Sequence, residues 1–562
     1  MRLVDSWRLM GPSLYARVPV ALAQVAFDAG ENPEAAFVAW MTELARIASA
    51  VELAYDSPAS RFFRGGATFT FAARIDALLL ATHATDKAVE AANARLAGEA
   101  PPAFDAVLAE LALVPRGSAA LIALEDEARR RGVPFLWDDD AVTLGMGKRS
   151  RTFAMDALPD TNAVPWPELG AIPVVLVTGT NGKTTTSRLV AKMVRGAGLV
   201  VGCTTTDVAK VGDRVVDRGD CTGPAGARLV LRDRETEAAV LETARGGILR
   251  RGLAVDEARG AIVTNVTADH LGHYGVMDVP TMARVKGVVG DVVVLDGRVV
   301  LNAEDPELVA LAPSYRAPVA FFSLDPRAPA LVAHVARGGE GWFLRDDALV
   351  RSTRAGERTL AKVDEVPIGF RGAARFNLAN ALGAAALAST MEISEDAIVD
   401  GLRTFQPSFE DNPGRSNLVE RNGVQIMVDF AHNPDGLTNV FALVEKIRSR
   451  AGRLAILCGY GGDRSDESMR ASANLIRAQR PALVVLRDLA GYQRGRQEGE
   501  VRALFRAELV ARGMHDAEIE DAPSEVESLR RALAWAKPND MVVILAHLES
   551  AGVRALLKVP SS

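Results

Sequence analysis

The stretch Val174-Val-Leu-Val-Thr-Gly-Thr-Asn-Gly-Lys-Thr-Thr-Thr186 decides how this chain reads. Val174 to Thr178 is an apolar, β-branched run of the length of a buried strand. Gly179-Thr-Asn-Gly182 follows as a tight turn, and Lys183-Thr184 opens a helix-like run to about Ala197. Strand, glycine turn and helix N-terminus make an anion cradle, because backbone N–H groups and the positive helix end face the ligand. Lys183 can reach β- and γ-phosphates, and Thr184 can hold Mg²⁺ through its hydroxyl. The longer Walker pattern has glycine at 177, where this chain has Val177, so the motif is the shorter G-x-x-G-K-T form. An ordinary strand–turn–helix is the plainer reading of so short a motif. The strand, the lysine and the threonines favour a phosphate loop, with Gly179, Thr180, Asn181, Gly182, Lys183, Thr184 and Thr185 as candidate nucleotide-binding residues.

Outward from this loop, buried β-branched runs alternate with helical segments. Candidate strands are 172–178, 238–242, 260–264, 291–295 and 318–323, which argues for a parallel, doubly wound α/β sheet. Asp296-Gly297 between valine-rich arms predicts a hairpin over 292–302. Residues 1 to about 150 are alanine-rich, with helical runs at 84–99 and 118–132. The prolines of 151–171 and of 406–416 predict two linkers. Beyond the second, 424–430, 453–458, 482–487 and 541–545 read as strands of another α/β domain. The length of 562 residues suits three or four domains. A net charge of −6 argues against a generic nucleic-acid binder. Cys203, Cys221 and Cys458 lack metal-like spacing and read as free thiols of a reducing compartment. No signal core and no long apolar run stand out, so a cytoplasmic protein without membrane contact is expected.

The loop variant Gly-Thr-Asn-Gly-Lys-Thr-Thr resembles that of the Mur ligase superfamily, whose members join an amino acid to a carboxylate using ATP. Further segments follow in order: Leu241-Glu242-Thr-Ala-Arg-Gly-Gly-Ile-Leu249, Thr264-Asn265-Val-Thr-Ala-Asp269-His270-Leu271, and Asn377-Leu-Ala-Asn380. Pro413-Gly414-Arg415 and Asp429-Phe-Ala-His432-Asn-Pro434 resemble the start of the family's C-terminal domain. Within the superfamily, Thr204-Thr-Thr-Asp207 and Gly219-Asp-Cys-Thr-Gly-Pro224 resemble the Mur-like half of cyanophycin synthetases. Leu9-Met-Gly-Pro-Ser-Leu14 and Ala123-Leu-Glu-Asp-Glu-Ala-Arg-Arg-Arg-Gly-Val-Pro-Phe135 resemble their opening domain. The resemblance implies a multidomain α/β fold: an α+β opening domain at 1–160, a central ATP-binding domain with a parallel sheet at 161–407, and a Rossmann-like C-terminal domain at 408–562. Cyanophycin synthetases carry an ATP-grasp module between opening domain and Mur-like half. Here about twenty-five residues separate Gly147 from Val174, too few for one.

The implied activity is ATP-dependent amide formation, with ATP and Mg²⁺ as cofactors. A carboxylate oxygen becomes a leaving group by phosphorylation, and an amine then displaces phosphate. Bringing a carboxylate to a triphosphate requires neutralised charge and held geometry. The resemblance assigns catalysis to Lys183, Glu242, His270 and Lys286, with Thr184, Glu242 and His270 as metal ligands. The plainer reading of Glu242 is a surface charge at a strand end, and that of Lys286 a solvated helix residue. Lys286 lies sixteen residues past His270, where many Mur ligases carry a carbamylated lysine. Asn377 and Asn380 share a helix face, assigned by the resemblance to the adenine side. The family's histidine before the first of them is Phe376 here. Arg415 and Asp429 are assigned to the nucleotide as well.

The implied partners are an amino acid and a carboxylate-bearing acceptor, itself an amino acid or short peptide, and a homo-oligomer is left open. Acceptor candidates are Thr222, Gly223 and Arg245, whose guanidinium suits a carboxylate. Amino-acid candidates are His432, Asp488, Arg494 and Arg496. In cyanophycin synthetases an acidic run precedes Arg-Gly-Arg, and here Asp488 alone remains of it, which puts arginine as a substrate in doubt. The expectation is a ligase with one active site, acting on an aspartate-like or small peptide carboxylate. The alternatives are a non-catalytic scaffold protein and a folate- or peptidoglycan-type glutamate ligase.

Overall fold

The computed structural model describes residues 1–558. The packing falls into two compact units. The first comprises Met1–Phe322, Ala328–Gly341 and Gly383–Ile398, and the second Ser323–Arg327, Trp342–Leu382 and the remainder from Val399.

The first unit opens with an antiparallel sheet in the order β1-β2-β4-β3, formed by β1 (Arg2–Leu9), β2 (Val20–Ala26), β3 (Asp56–Phe63) and β4 (Gly66–Ala72). Helices α1 (Pro33–Ala50) and α2 (Leu78–Leu96) pack beside it, burying Trp40, Phe69 and Phe71. Asn32 caps α1 by accepting from Ala35 N–H, with Pro33 in the first turn. After α3 (Phe104–Ala112) and α4 (Ala119–Arg131), a second sheet joins β5 (Phe135–Trp137), β6 (Ala141–Leu144) and β7 (Arg151–Ala154). The expected linker 151–171 is packed chain. β7 pairs with β6, and Val164, Trp166 and Leu169 belong to the same core as Trp40. Its prolines shape short 3₁₀ turns that present those side chains inward.

The larger sheet of this unit runs β11-β10-β9-β12-β8-β13-β14-β15. Its strands are β8 (Val174–Thr178), β9 (Val201–Thr204), β10 (Val208–Val211), β11 (Arg214–Arg218), β12 (Ala238–Glu242), β13 (Ala258–Val263), β14 (Val293–Asn302) and β15 (Val319–Ser323). β8 and β12 are buried throughout, as continuous apolar runs between helices require. Register sets the site: Glu242 pairs with Val177 and Val263 with Thr178, so three carboxyl ends stand level. The helices that follow are α5 (Lys183–Gly196), α6 (Pro224–Leu231), α7 (Arg245–Arg251) and α8 (Val279–Asp291).

The expected hairpin at Asp296-Gly297 is corrected. β14 continues through it, and the register against β13 jumps from Ala258↔Val293 to Gly260↔Arg298. The extra residues form a bulge. A Cβ on Gly297 would lie 2.3 Å from Arg259 O, so its glycine serves close approach rather than a turn.

The second unit contains β16 (Glu340–Arg345), β17 (Ala348–Thr353) and β18 (Gly356–Lys362), then a mainly parallel sheet ordered β19-β20-β24-β21-β22-β23. Its strands are β19 (Asn417–Arg421), β20 (Val424–Asp429), β21 (Leu454–Tyr460), β22 (Leu483–Asp488), β23 (Ile519–Asp521) and β24 (Met541–Leu545). Alternate residues feed two buried layers: Met427, Ile456, Val484 and Val543 on one face, Ile426, Leu457, Val485 and Val542 on the other. That two-sided burial is the doubly wound pattern. Segment 406–416 is tied down as well: Asn417 Nδ2 donates to Pro407 O (3.1 Å) and Asn412 O (3.0 Å), and its Oδ1 accepts from Gly414 N–H (2.7 Å).

Candidate active site

The loop leaving β8 is shaped by the end of β13. Gly179 has φ +148°, and a Cβ there would lie 1.9 Å from Thr264 Oγ1, so the position admits only glycine without rearrangement. Thr180 N–H donates to Asn265 O (2.8 Å) and Asn181 N–H to Asn265 Oδ1 (3.0 Å). Thr264 Oγ1 donates to Asn181 O (2.6 Å), and Thr267 N–H to Thr180 Oγ1 (3.0 Å). Gly182, at φ +87°, starts α5 without a side-chain cap, so the first helical N–H groups open onto the loop.

Charged groups converge on this loop. Lys183 Nζ donates to Thr180 O at 2.9 Å, and Lys286 Nζ, on α8, donates to Gly179 O at 2.8 Å. Lys286 is buried, and desolvation pushes its ammonium well below the usual lysine range. The positive charges of Lys183 and Arg245 push the same way, and Asp269 opposes them. Glu242, buried at the end of β12, accepts from Thr184 Oγ1 (2.9 Å) and Thr206 Oγ1 (2.8 Å), and from Thr206 N–H (3.2 Å). A surface charge is therefore excluded for Glu242. His270, at φ +58°, stands 3.9 Å from the Asp269 carboxylate, and its carbonyl accepts from Arg245 Nη1 at 3.3 Å. Thr222 Oγ1 donates to Asp220 (2.5 Å), and Thr222 O accepts from Ala244 N–H (3.1 Å). That bond sets Thr222-Gly223 beside the start of α7, with Gly247 packed on Gly223.

This donor set fits Mg²⁺. The hydroxyls of Thr184 and Thr206 each bond one oxygen of the Glu242 carboxylate, and such oxygens are the hard ligands the ion takes. Among the described residues no group of three or more His, Cys, Asp or Glu could hold a metal unaided. Mg²⁺ here would therefore share its shell with phosphate oxygens and water, as it ordinarily does beside a phosphate loop.

Two family models match the chain: the Mur ligase middle domain over residues 177–388 and the Mur ligase glutamate ligase domain over residues 414–548. The chain belongs to the Mur ligase family. Among curated relatives, cyanophycin synthetase from Trichormus variabilis is 36% identical over 392 residues, covering 70% of this chain and 43% of its own length. The UDP-N-acetylmuramoyl-L-alanyl-D-glutamate–2,6-diaminopimelate ligase of Geobacter metallireducens is 28% identical over 451 residues, covering 76% of this chain and 81% of its own. The chain thus spans less than half the length of the cyanophycin synthetases it matches. The E. coli FolC structure in complex with DHPP and ADP has a TM-score of 0.50 at 18% identity, covering 69% of this chain and 88% of that one, a likeness of fold.

In the second unit, the remaining candidates fall into separate groups. Buried Asn377 donates to Ile368 O (3.2 Å), and Asn380 Nδ2 donates to Asn377 Oδ1 (3.3 Å). Asp429, at the end of β20, accepts from Ser416 N–H (2.7 Å) and Ala431 N–H (2.8 Å). Burial raises its pKa, against Arg415 and those hydrogen bonds. The Arg415 guanidinium lies 4.2 Å over the Phe430 ring, which contacts the His432 and His547 rings edge-on. His547, after β24, escaped the sequence reading, although a histidine just past an apolar strand run was a usable signal. Burial, then Arg487 and His432, hold it well below the ordinary 6.5. Asp488 accepts from Gly499 N–H (2.8 Å) and Arg502 Nε (2.9 Å). Arg496 binds Asp466 (2.7 Å), Glu500 (2.8 Å), Gly462 O and Arg464 O (each 3.0 Å). Arg494 sits at φ +50° with its guanidinium 5.2 Å from the Tyr492 ring.

Proposed function

We propose that this chain is an ATP-dependent carboxylate–amine ligase with one active site, acting on an aspartate-like or short-peptide carboxylate. The observation that carries this reading is the level strand ends of β8, β12 and β13. They bring Lys183, Thr184 and Glu242 around one glycine loop, where Lys286 of α8 joins them. Bound Mg²⁺ would draw charge from the phosphates as the acceptor carboxylate is phosphorylated.

The chain's own groups take distinct parts. Lys183 neutralises phosphate charge, and Thr184 with Glu242 holds the cation, His270 completing the set. Lys286, whose burial disfavours the ammonium form, is suited to carbamylation, which would turn it into an oxygen-bearing group beside Gly179. Arg245, with Thr222 and Gly223, receives the acceptor carboxylate. Asn377, Asn380, Arg415 and Asp429 serve the nucleotide, and His432 and Arg494 the amino acid, with Asp488 and Arg496 contributing through the loops they brace. In this reading residues 1–160, 161–407 and 408–562 are three domains, with Val164–Leu169 lending side chains to the core of the first. Among the described residues no helix is long and apolar enough to cross a membrane, and a cytoplasmic setting accords with ATP as substrate.

ADP release measured across a panel of amines and carboxylates tests the reading. ADP formed only with both an amine and an acceptor, with one mass increment per acceptor carboxylate, is the expected result. Silence across the panel would favour a scaffold protein, and a ladder of alternating residues would overturn the single site.

A further inference from the structure

The segment that carries His270 is strained and is held from outside. Between Asp269 and Met277, His270 (φ +58°), Gly272 (+89°), Tyr274 (+54°) and Gly275 (+69°) are all left-handed. Two of these are not glycine, and each such residue persists only where its surroundings over-determine it. The loop's own backbone bonds are few: Gly272 N–H to Val276 O (2.8 Å) and Val276 N–H to His273 O (3.0 Å).

Further restraint comes from the opening sheet, more than two hundred residues earlier. Arg61, on β3, donates through Nη1 to Gly275 O (2.8 Å) and through Nη2 to Tyr274 O (3.1 Å), forking over two consecutive carbonyls. Phe63 packs against Gly275, where a Cβ would lie 2.4 Å from its ring. Trp7, on β1, meets the Tyr274 ring edge-on at 5.5 Å. On the other side of the loop, Arg245 bonds His270 O (3.3 Å) and lies 5.7 Å from the Tyr274 ring. One short loop therefore links the opening sheet to both His270 and Arg245.

We infer that Arg61 is a positioning residue of the ligase site, and that the opening segment sets the geometry of His270 and Arg245 through loop 269–277. The inference deepens the ligase reading and rests on it for its kinetic consequence. Its structural part stands independently. A planar fork matches two carbonyls, whereas a lysine ammonium is a point donor that satisfies one well. Arg61→Lys should therefore retain part of what Arg61→Ala loses.

The test is hydrogen exchange on the full chain for wild type, Arg61→Ala and Arg61→Lys. Arg74→Ala, which removes an exposed pairing of the same segment with Asp126, is the control. Exchange across 269–277 should quicken by roughly tenfold or more in Arg61→Ala, by less in Arg61→Lys, and not in the control. With active substrates, kcat should fall about tenfold in Arg61→Ala while the KM for ATP stays within about twofold, and Arg61→Lys should recover part of kcat. Unchanged exchange at 269–277, or equal loss in the control, would overturn the inference. If Arg61→Ala fails to fold, Arg61→Lys against the control decides it. Loosened exchange in a chain that ligates nothing would remove the ligase reading and leave the restraint in place.

Discussion

The loops after β8 and after β22 both leave the carboxyl end of a parallel strand, yet they spend their polar groups differently. The first is braced by neutral groups of its neighbour: Thr264 and Asn265 hold Thr180 and Asn181. Its charged residues are left to converge, with Lys183 and Lys286 on loop carbonyls and Glu242 on two hydroxyls. The second braces itself with charge. Asp488 closes on Gly499 and Arg502, and Arg496 ties the chain after β21 to the chain after β22 through Asp466 and two carbonyls. Charges gathered by neutral scaffolding are available to a ligand. Charges that are the scaffolding are largely spent, which weakens a direct substrate role for Asp488 and Arg496 relative to Arg494.

Lys183→Ala is the strongest way to break this comparison. Loss of the converging cation should lower ligation by about a thousandfold with circular dichroism unchanged. An unchanged rate would remove the catalytic standing of the first loop. Gly179→Ala should cost about 2–4 kcal/mol of stability in urea unfolding, because the added Cβ meets Thr264 and its φ is unfavourable. A neutral effect would show that the loop is not braced as described.

Arg496→Ala sharpens the other side. It should cost about 1–2 kcal/mol of stability and change ligation per folded molecule by less than about threefold. A tenfold rise in amino-acid KM at unchanged stability would instead place Arg496 on substrate. The smallest effect concerns His547. Its folded pKa lies well below 6.5, so below 6.5 the unfolded chain binds the extra proton, and stability falls as pH drops. The loss should be about 1 kcal/mol over the first pH unit below 6.5. His547→Gln should flatten it in thermal melts taken across that window, and an unflattened slope would assign the loss elsewhere.

Most central strands of both parallel sheets were legible because buried strands leave continuous apolar runs: 238–242 and 541–545 fall as read, and β13, β20 and β21 shift by two residues or fewer, whereas the four-residue β9 and the β10–β11 pair beside it were not read. The edge strands β19 and β23 were missed, being short and half-polar. The Asp296-Gly297 hairpin failed because a turn dipeptide and a bulge beside a close backbone look alike along the chain. Only the carbonyl of Arg259 tells them apart. The prolines of 151–171 marked turns correctly, yet turns pack as readily as they link, and Trp166 is buried.

The sequence by itself determined the phosphate loop, the glutamate at the end of β12 and the family, because those rest on residue order within short windows. Only the tertiary structure decided what their partners are. Thr206 on Glu242, Asn265 on Asn181 and Lys286 on Gly179 are meetings of residues between 36 and 107 positions apart. Arg61 reaches Gly275 across 214. Local pattern encodes which faces are buried, whereas sheet register and packing set which side chains stand within three ångströms of one another, and at this site the chemistry depends on that second quantity.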